Sequence, residues 1–334
     1  MRILAIDTSC DETAAAVVEG RRVLSNVIYS QILIHKKWGG VVPSLAKRAH
    51  EEKIDFVIKE ATKNFRQFDA VAVTQGPGLA VALEVGIKKA KELAKEYHKK
   101  LISVNHLEGH IYSPFVQNSQ GNPKLDFKFP YLALVISGGH TEFVIFKNHL
   151  DYEVIGSTLD DAAGEALDKA AKLLNLGYPG GPVLERLAKE VENVDNYGFP
   201  RPMLKSRDLN FSFSGLKTSF YYFLKKNPGG PVKELASSFQ EAVLDTIIKK
   251  TEKAIRQTGI NRLVVGGGVI ANLRLRQLFR NLVNKSQGEV LFPSYKYLTG
   301  DNAAMIGVVA SFKAERRVFV QDADKLDRIP RMVL

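Results

Sequence analysis

The residues best suited to chemistry in this sequence begin at Leu101-Ile102-Ser103-Val104-Asn105-His106-Leu107-Glu108-Gly109-His110. A short apolar run ends at Asn105, and two histidines follow, four apart. A helix starting at Asn105 puts His106 and His110 on one face, one turn apart. That is the spacing two imidazoles need to grip one metal ion. The plainer alternative is a pair of partly exposed histidines near a helix start, and an isolated H-x-x-x-H does not decide between them. Asp301 precedes a second helical run, where a carboxylate can be a helix cap or a third ligand. Two imidazoles and one carboxylate form a facial set with open positions, suited to iron(II) or zinc.

Other residues point to a nucleotide. The turn around Ser9, Asp11 and Glu12 and the turn Ser137-Gly138-Gly139-His140-Thr141 both follow apolar strand-like runs. Small residues there leave backbone N–H groups able to cradle phosphate oxygens, though either could be an ordinary tight hairpin. His140 lies where it could touch a ligand or the metal. Gly266-Gly267-Gly268 leads from an apolar run to Asn272 at a helix start. It lacks the Lys-[Ser/Thr] of a P-loop and the last glycine of G-x-G-x-x-G. Its expected role is to let adenine and ribose lie on the backbone, with Asn272 as a polar contact. Asp160, Asp161, Glu165 and Asp168 place carboxylates on an expected helix over 160–174. Dipole compensation accounts for the first two, whereas Asp168 is expected to take a ribose hydroxyl or a substrate ammonium. His35, His50, His98 and His149 read as surface or packing residues.

The elements that must position these groups repeat. Each half reads strand-turn-strand, strand, helix, strand, loop, helix, strand, helix. This predicts an α/β protein with a duplicated actin/hexokinase-like (ASKHA) fold, two βββαβα lobes with an interlobe cleft. The expected lobes are residues 1–126 and 127–302, with a last helix near 303–334 packing back on the first. Residues 197–226 read as irregular and 233–259 as one long helix. Under the duplication, Asp301 ends the second lobe and faces the histidines across the cleft, so that cleft closure would assemble the metal site.

Composition bounds the partners. The chain has 334 residues, 45% apolar and 25% charged, with a formal net charge of +11. That excess suits a polyanionic partner, nucleic acid ahead of membrane, although many lysines lie on apparent helix faces. Cys10 is the only cysteine, which excludes an internal disulfide and a thiolate-rich zinc site. The run Ile3-Leu4-Ala5-Ile6 is too short for a secretory signal. No stretch approaches the ~18 apolar residues of a membrane span, and a cytoplasmic location is expected.

Taken together, the blocks Ile6-Asp7-Thr8-Ser9-Cys10-Asp11-Glu12-Thr13, Gly39-Gly40-Val41-Val42-Pro43, Gln75-Gly76-Pro77-Gly78-Leu79, His106-Leu107-Glu108-Gly109-His110 and Ser137-Gly138-Gly139-His140-Thr141 resemble the TsaD family. Phe211-Ser212-Phe213-Ser214-Gly215-Leu216-Lys217-Thr218 and Asp301-Asn302-Ala303-Ala304-Met305 continue the likeness nearly end to end. His140 in its block matches the bacterial branch. Ser44, Lys47 and Gly300 depart from the family pattern, and none removes an expected ligand. The resemblance implies an acyltransferase that moves threonylcarbamoyl from threonylcarbamoyl-AMP to N6 of the adenosine at position 37 of ANN-decoding tRNAs, forming t6A. It implies His106, His110 and Asp301 as ligands of one divalent metal, iron(II) ahead of zinc. Val135, Ile136, Ser137, Gly138, Gly139, Asp168, Gly181 and Asn272 would bind the adenylate, or ATP, ADP or AMP in its place, with Ser9, His140, Gly267 and Gly268 as additional contacts. Asp11 and Glu12 would be catalytic. The implied partners are tRNA, a TsaB-like paralogue, a TsaE-like ATPase and a separate synthase for the donor. A sugar or acetate kinase of the same fold and a non-catalytic scaffold are the alternatives. The kinase would need a cleft Asp and Mg²⁺, and the scaffold would lack the histidines.

Overall fold

A computed structural model describes all 334 residues. The chain divides into two compact units: Met1–Lys128 with His149–Asp151 and Pro293–Leu334, and Phe129–Asn148 with Tyr152–Phe292. No helix is long and apolar enough to cross a membrane.

The first unit begins with β1 (Arg2–Asp7), β2 (Glu12–Glu19) and β3 (Arg22–Ser30). The one-turn helix α1 (Ile32–His35) and α2 (Pro43–Thr62) lead to β4 (Ala70–Gly76). α3 (Ala80–Glu96), β5 (Lys100–Asn105) and α4 (His106–Tyr112) follow. The sheet order is β3-β2-β1-β4-β5. β1 runs antiparallel to β2 and parallel to β4, and β4 runs parallel to β5. Its central strand is apolar on both faces, and Ile3 to Ile6 are fully buried. A strand of that composition demands cover on both sides.

The second unit repeats the order. It holds β6 (Tyr131–Ile136), β7 (Thr141–Asn148) and β8 (Asp151–Ser157), with only the first residue of β8 grouped in the first unit. Helices α5 (Ala163–Leu173), α6 (Gly180–Glu190), α7 (Ser214–Lys226) and α8 (Val232–Thr258) come next. β9 (Arg262–Gly266), α9 (Leu273–Lys285) and β10 (Glu289–Leu291) complete it. Its sheet order, β10-β9-β6-β7-β8, is that of the first unit.

The last helix, α10 (Ala303–Glu315), belongs to the first unit. Nearly every side chain of Ala303 to Ser311 is buried. A helix apolar all round needs cover all round. It obtains this by lying on the first sheet, where a Cβ on Gly307 would sit 2.6 Å from Val18 Cγ2 and 3.2 Å from Ala5 Cβ. This corrects the expected place of Asp301. It directly precedes the Asn302 cap of α10, in the same unit as His106 and His110 and not in the opposite lobe, so the three need no cleft closure to meet.

Two further expectations are corrected. Residues 214–226 are helical rather than irregular. Leu216 and Phe220 are buried one turn apart, a helical period that the turn-like Phe-Ser-Phe-Ser-Gly start conceals. α5 begins at Ala163, after Asp160 and Asp161, because the Ala163 N–H is capped by Thr141 Oγ1 at 2.9 Å.

Candidate functional site

Helix α4 is fixed at its start by a capping box. Asn105 Oδ1 accepts the Leu107 N–H at 2.8 Å, and Glu108 Oε2 accepts the Asn105 N–H at 3.2 Å. Such a pair satisfies donors that a helix N-terminus otherwise leaves open. The turn direction that follows puts His106 and His110 side by side, with ring centroids 4.7 Å apart and planes at 81°. Both are buried, at 5% and 0% exposure.

The cap of α10 is supplied by Asn302, whose Oδ1 accepts the Met305 N–H at 3.0 Å. Asp301 is therefore not spent as the cap. Its Oδ1 lies 3.2 Å from His106 Nε2 and 3.4 Å from His110 Nε2. One donor atom from each of the three residues falls within 4.8 Å of the others. Behind them, Asp7 at the end of β1 is fully buried, and its Oδ2 is 3.5 Å from His106 Nδ1. Sequence reasoning did not assign Asp7 a role. The available signal was a carboxylate closing an otherwise apolar central strand.

Electrostatics follow from this packing. Burial acts to lower the His106 pKa, but Asp301 and Asp7 overcome it and hold the imidazole well above its ordinary range. Burial lowers that of His110, with the His106 charge adding to the effect. Burial works against ionised Asp301, yet the two imidazoles hold it well below the usual carboxylate range.

These residues fit a metal. His106 Nδ1, His110 Nδ1, His110 Nε2 and Asp7 Oδ2 are buried without a hydrogen bond. An unsatisfied buried polar atom costs about 1–3 kcal/mol, so a cation that takes up imidazole nitrogens removes a real penalty. Two imidazoles and a carboxylate suit iron(II) or zinc, and Asp7 is placed to orient the His106 ring from behind.

The approach of the two helices depends on Gly109 and on a buried ion pair. A Cβ on Gly109 would lie 2.8 Å from Met305 Cγ on α10. Glu108, between the histidines, is 2.7 Å from Lys313 Nζ on α10, and Lys313 also donates to Ser103 O at 3.2 Å.

Asp11, in the β1–β2 turn, is buried, and Glu12, the first residue of β2, is partly so. Burial, with Asp11, Asp301 and Asp7 nearby, pushes the Glu12 carboxyl well up. Burial, with Asp11, Asp301 and Glu12 nearby, pushes the Cys10 thiol up, which disfavours its thiolate form. His50 holds this turn against α2, with Nδ1 2.8 Å from Thr13 Oγ1 and Nε2 3.0 Å from Cys10 O. His35 pairs with Gln31 and His149 with Tyr112, both in packing roles, while His98 stands at a positive φ of 51°. Ser9 is buried, and its O accepts the Leu79 N–H at 2.8 Å.

In the second unit Val135 to Gly139 and Gly267 to Gly268 lie at the carboxyl ends of β6 and β9, parallel neighbours with Val135 opposite Gly266. That end is where ligands bind in such sheets. Val135 and Ile136 are buried in β6. Ser137 Oγ accepts the N–H groups of Gly139 and His140, at 3.3 and 3.0 Å, which shapes the turn. Gly267 must be glycine: its φ is 97°, and a Cβ would sit 2.3 Å from Ile136 O. Gly138, Gly139, Gly181 and Gly268 are different. None has a left-handed φ, and a Cβ on any of them would meet nothing within 4 Å. Nothing within the chain requires glycine there, as expected where a ligand lies against the backbone.

Two expected contacts have structural duties. Asp168 Oδ1 accepts the N–H groups of Gly180 and Gly181, at 2.7 and 3.2 Å, so it caps α6 from α5. Asn272 Oδ1 accepts the Leu275 N–H at 2.9 Å, and its Nδ2 donates to Gln240 Oε1 at 3.0 Å. Asp160 does not compensate α5. It accepts from Ser212, Ser214 and the Phe213 N–H at the start of α7. Asp161 lies 2.7 Å from both Lys169 and Lys217.

The chain resembles known proteins throughout. A family model described as "TsaD: tRNA N6-adenosine threonylcarbamoyltransferase" matches residues 22–308. A tRNA N6-adenosine threonylcarbamoyltransferase of Kosmotoga olearia is 46% identical over 323 residues, covering 96% of this chain and 95% of that one. One of Carboxydothermus hydrogenoformans is 48% identical over 307 residues, covering 91% and 90%. Among solved structures, the HypF of T. kodakarensis shares the fold with a TM-score of 0.64 at 16% identity, over 94% of this chain and 48% of that one.

Two outcomes follow for the metal centre. Lys313→Met is expected to lower metal affinity about 10- to 100-fold, measured by calorimetric titration, with the circular dichroism spectrum unchanged. A metal ligand must be neutral imidazole, whereas Asp301 and Asp7 keep His106 protonated above its ordinary pKa. Binding should therefore release a proton, and affinity should climb with pH until the His106 pKa is passed. Titration in buffers of different ionisation enthalpy reads the proton count.

Proposed function

The chain belongs to the TsaD family of tRNA N6-adenosine threonylcarbamoyltransferases, and from that premise we propose that it moves the threonylcarbamoyl group of threonylcarbamoyl-AMP to N6 of adenosine 37 in ANN-decoding tRNAs, giving t6A. The observation that carries this reading to the chain's own residues is the His106–His110–Asp301 set, two buried imidazoles beside a half-buried carboxylate, with its unpaired imidazole nitrogens.

In this reading His106, His110 and Asp301 hold one divalent metal, iron(II) ahead of zinc. When bound, it supplies Lewis-acid polarisation of a carbonyl. The backbone at Gly138, Gly139, Gly181 and Gly268 holds the AMP portion, where side-chain-free Cα atoms admit close approach. Ser137 Oγ keeps the Gly138–His140 turn in shape for the phosphate. Asp168 and Asn272 contribute by fixing the starts of α6 and α9.

N6 attacks the carbamoyl carbon, the carbon–oxygen bond to the phosphate breaks, and AMP leaves with that electron pair. The amine must lose a proton, and Asp11 is assigned to take it. Burial and the neighbouring acids shift Glu12 toward its neutral form, which lowers the negative charge at the β1–β2 turn. AMP is a good leaving group and needs no protonation. TsaB-like and TsaE-like proteins and a separate synthase for the donor are proposed as partners.

The assay is transfer to tRNA from threonylcarbamoyl-AMP with those partners present. Replacing both His106 and His110 by Ala is expected to abolish transfer, and unchanged transfer would sink the metal role. In Gly138→Ala the added Cβ meets no protein atom within 4 Å, so stability should stay within about 0.5 kcal/mol. AMP affinity should fall at least about tenfold, by the loss of roughly 1.4 kcal/mol.

A further inference from the structure

Between Glu289 and Asp301 the chain carries no acidic residue, and this stretch contains Tyr295-Lys296-Tyr297. From Pro293 onward it lies in the first unit and runs directly into Asp301. It is a built segment. Pro293, Leu298 and Thr299 are buried, and residues 296–298 form a tight helical turn. Thr299 Oγ1 donates to Lys296 O at 2.7 Å. Tyr295 donates its hydroxyl to Asn122 O at 3.3 Å. The Tyr295 and Tyr297 rings stack, with centroids 5.5 Å apart and planes at 16°. Tyr297 is nonetheless 41% exposed. Lys296 is exposed and has no ion-pair partner.

A rigid, stacked tyrosine with solvent on it, beside an unneutralised lysine in an acid-free stretch, offers little to an apolar protein face. It suits an unpaired nucleobase and its phosphate, because single-stranded RNA is held by base stacking on aromatic rings and by cationic side chains. The position adds to this. Tyr297 is four residues from Asp301, so the two lie at most about 14 Å apart along the chain.

We propose that Lys296 and Tyr297 dock the single-stranded loop of the RNA acceptor, a base stacking on Tyr297 and a phosphate pairing with Lys296. This rests on the tRNA reading above and names the surface it uses. Tyr295 is a positioning residue, since it backs the Tyr297 ring and ties the segment to Asn122.

The test is fluorescence anisotropy with a labelled, unmodified tRNA transcript and the full chain, across a salt series. Tyr297→Ala is expected to weaken binding about 10- to 100-fold, and Tyr297→Phe to restore it, because stacking needs the ring and not the hydroxyl. Lys296→Ala should weaken binding and flatten the salt dependence by about one counterion. Bound metal per chain and AMP affinity should not move in any of the three, which separates RNA docking from damage to Asp301. Tyr222→Ala, at an exposed tyrosine on α7, should leave RNA affinity as it was. Tight RNA binding by the parent with equal affinity in Tyr297→Ala overturns this surface alone. A parent chain that binds no RNA overturns the tRNA reading, and this surface with it.

Discussion

α4 and α10 meet with Gly109 against Met305, and the buried Glu108–Lys313 pair bridges them. Everything in the candidate centre depends on that meeting. Glu108 sits between the two histidines and also accepts the Asn105 N–H, so one carboxylate sets both where α4 begins and what it leans on. α10 is held in turn by burial of its apolar surface on the first sheet. The cost of packing two imidazoles and the Asp7 carboxylate away from water is thus borne by helix–sheet and helix–helix contacts. A metal would return part of it.

The duplicated topology explains why both candidate regions lie where they do. In each unit the central strand and its parallel neighbour end on the same edge, β1 with β4 and β6 with β9. Loops leaving that edge carry Asp7 to Glu12 in one unit and Ser137 to His140 in the other. The two edges have diverged in chemistry. The first ends in buried acids and imidazoles, the second in glycines whose Cα atoms are open. A metal and a phosphate ester call for those two kinds of surface.

Much of this was legible in the sequence, because it rests on local rules. The strand-end histidines, the capping residues and the glycine loops are written in spacing and residue type. Asp301 was legible as a residue but not as a place. Repeat counting assigned it to the second lobe, whereas the burial demand of an all-apolar helix decides that α10 returns to the first sheet. Asn302 took the capping duty that made Asp301 ambiguous. Asp168 and Asn272 show the opposite limit: their types suit a ligand, but their side-chain oxygens accept backbone N–H groups from elements distant or adjacent in the chain. Asp7 was missed because a polar residue closing a buried strand looks like a strand end until its neighbour His106 is placed.

The His106–His110–Asp301 set is proposed to be a metal centre complete within one unit. X-ray absorption of the full chain loaded anaerobically with iron(II) tests it most directly. One metal per chain with two imidazoles in its shell is expected, and one imidazole in His110→Ala. A metal content well below one per chain, or a spectrum that His110→Ala leaves unchanged, would contradict it.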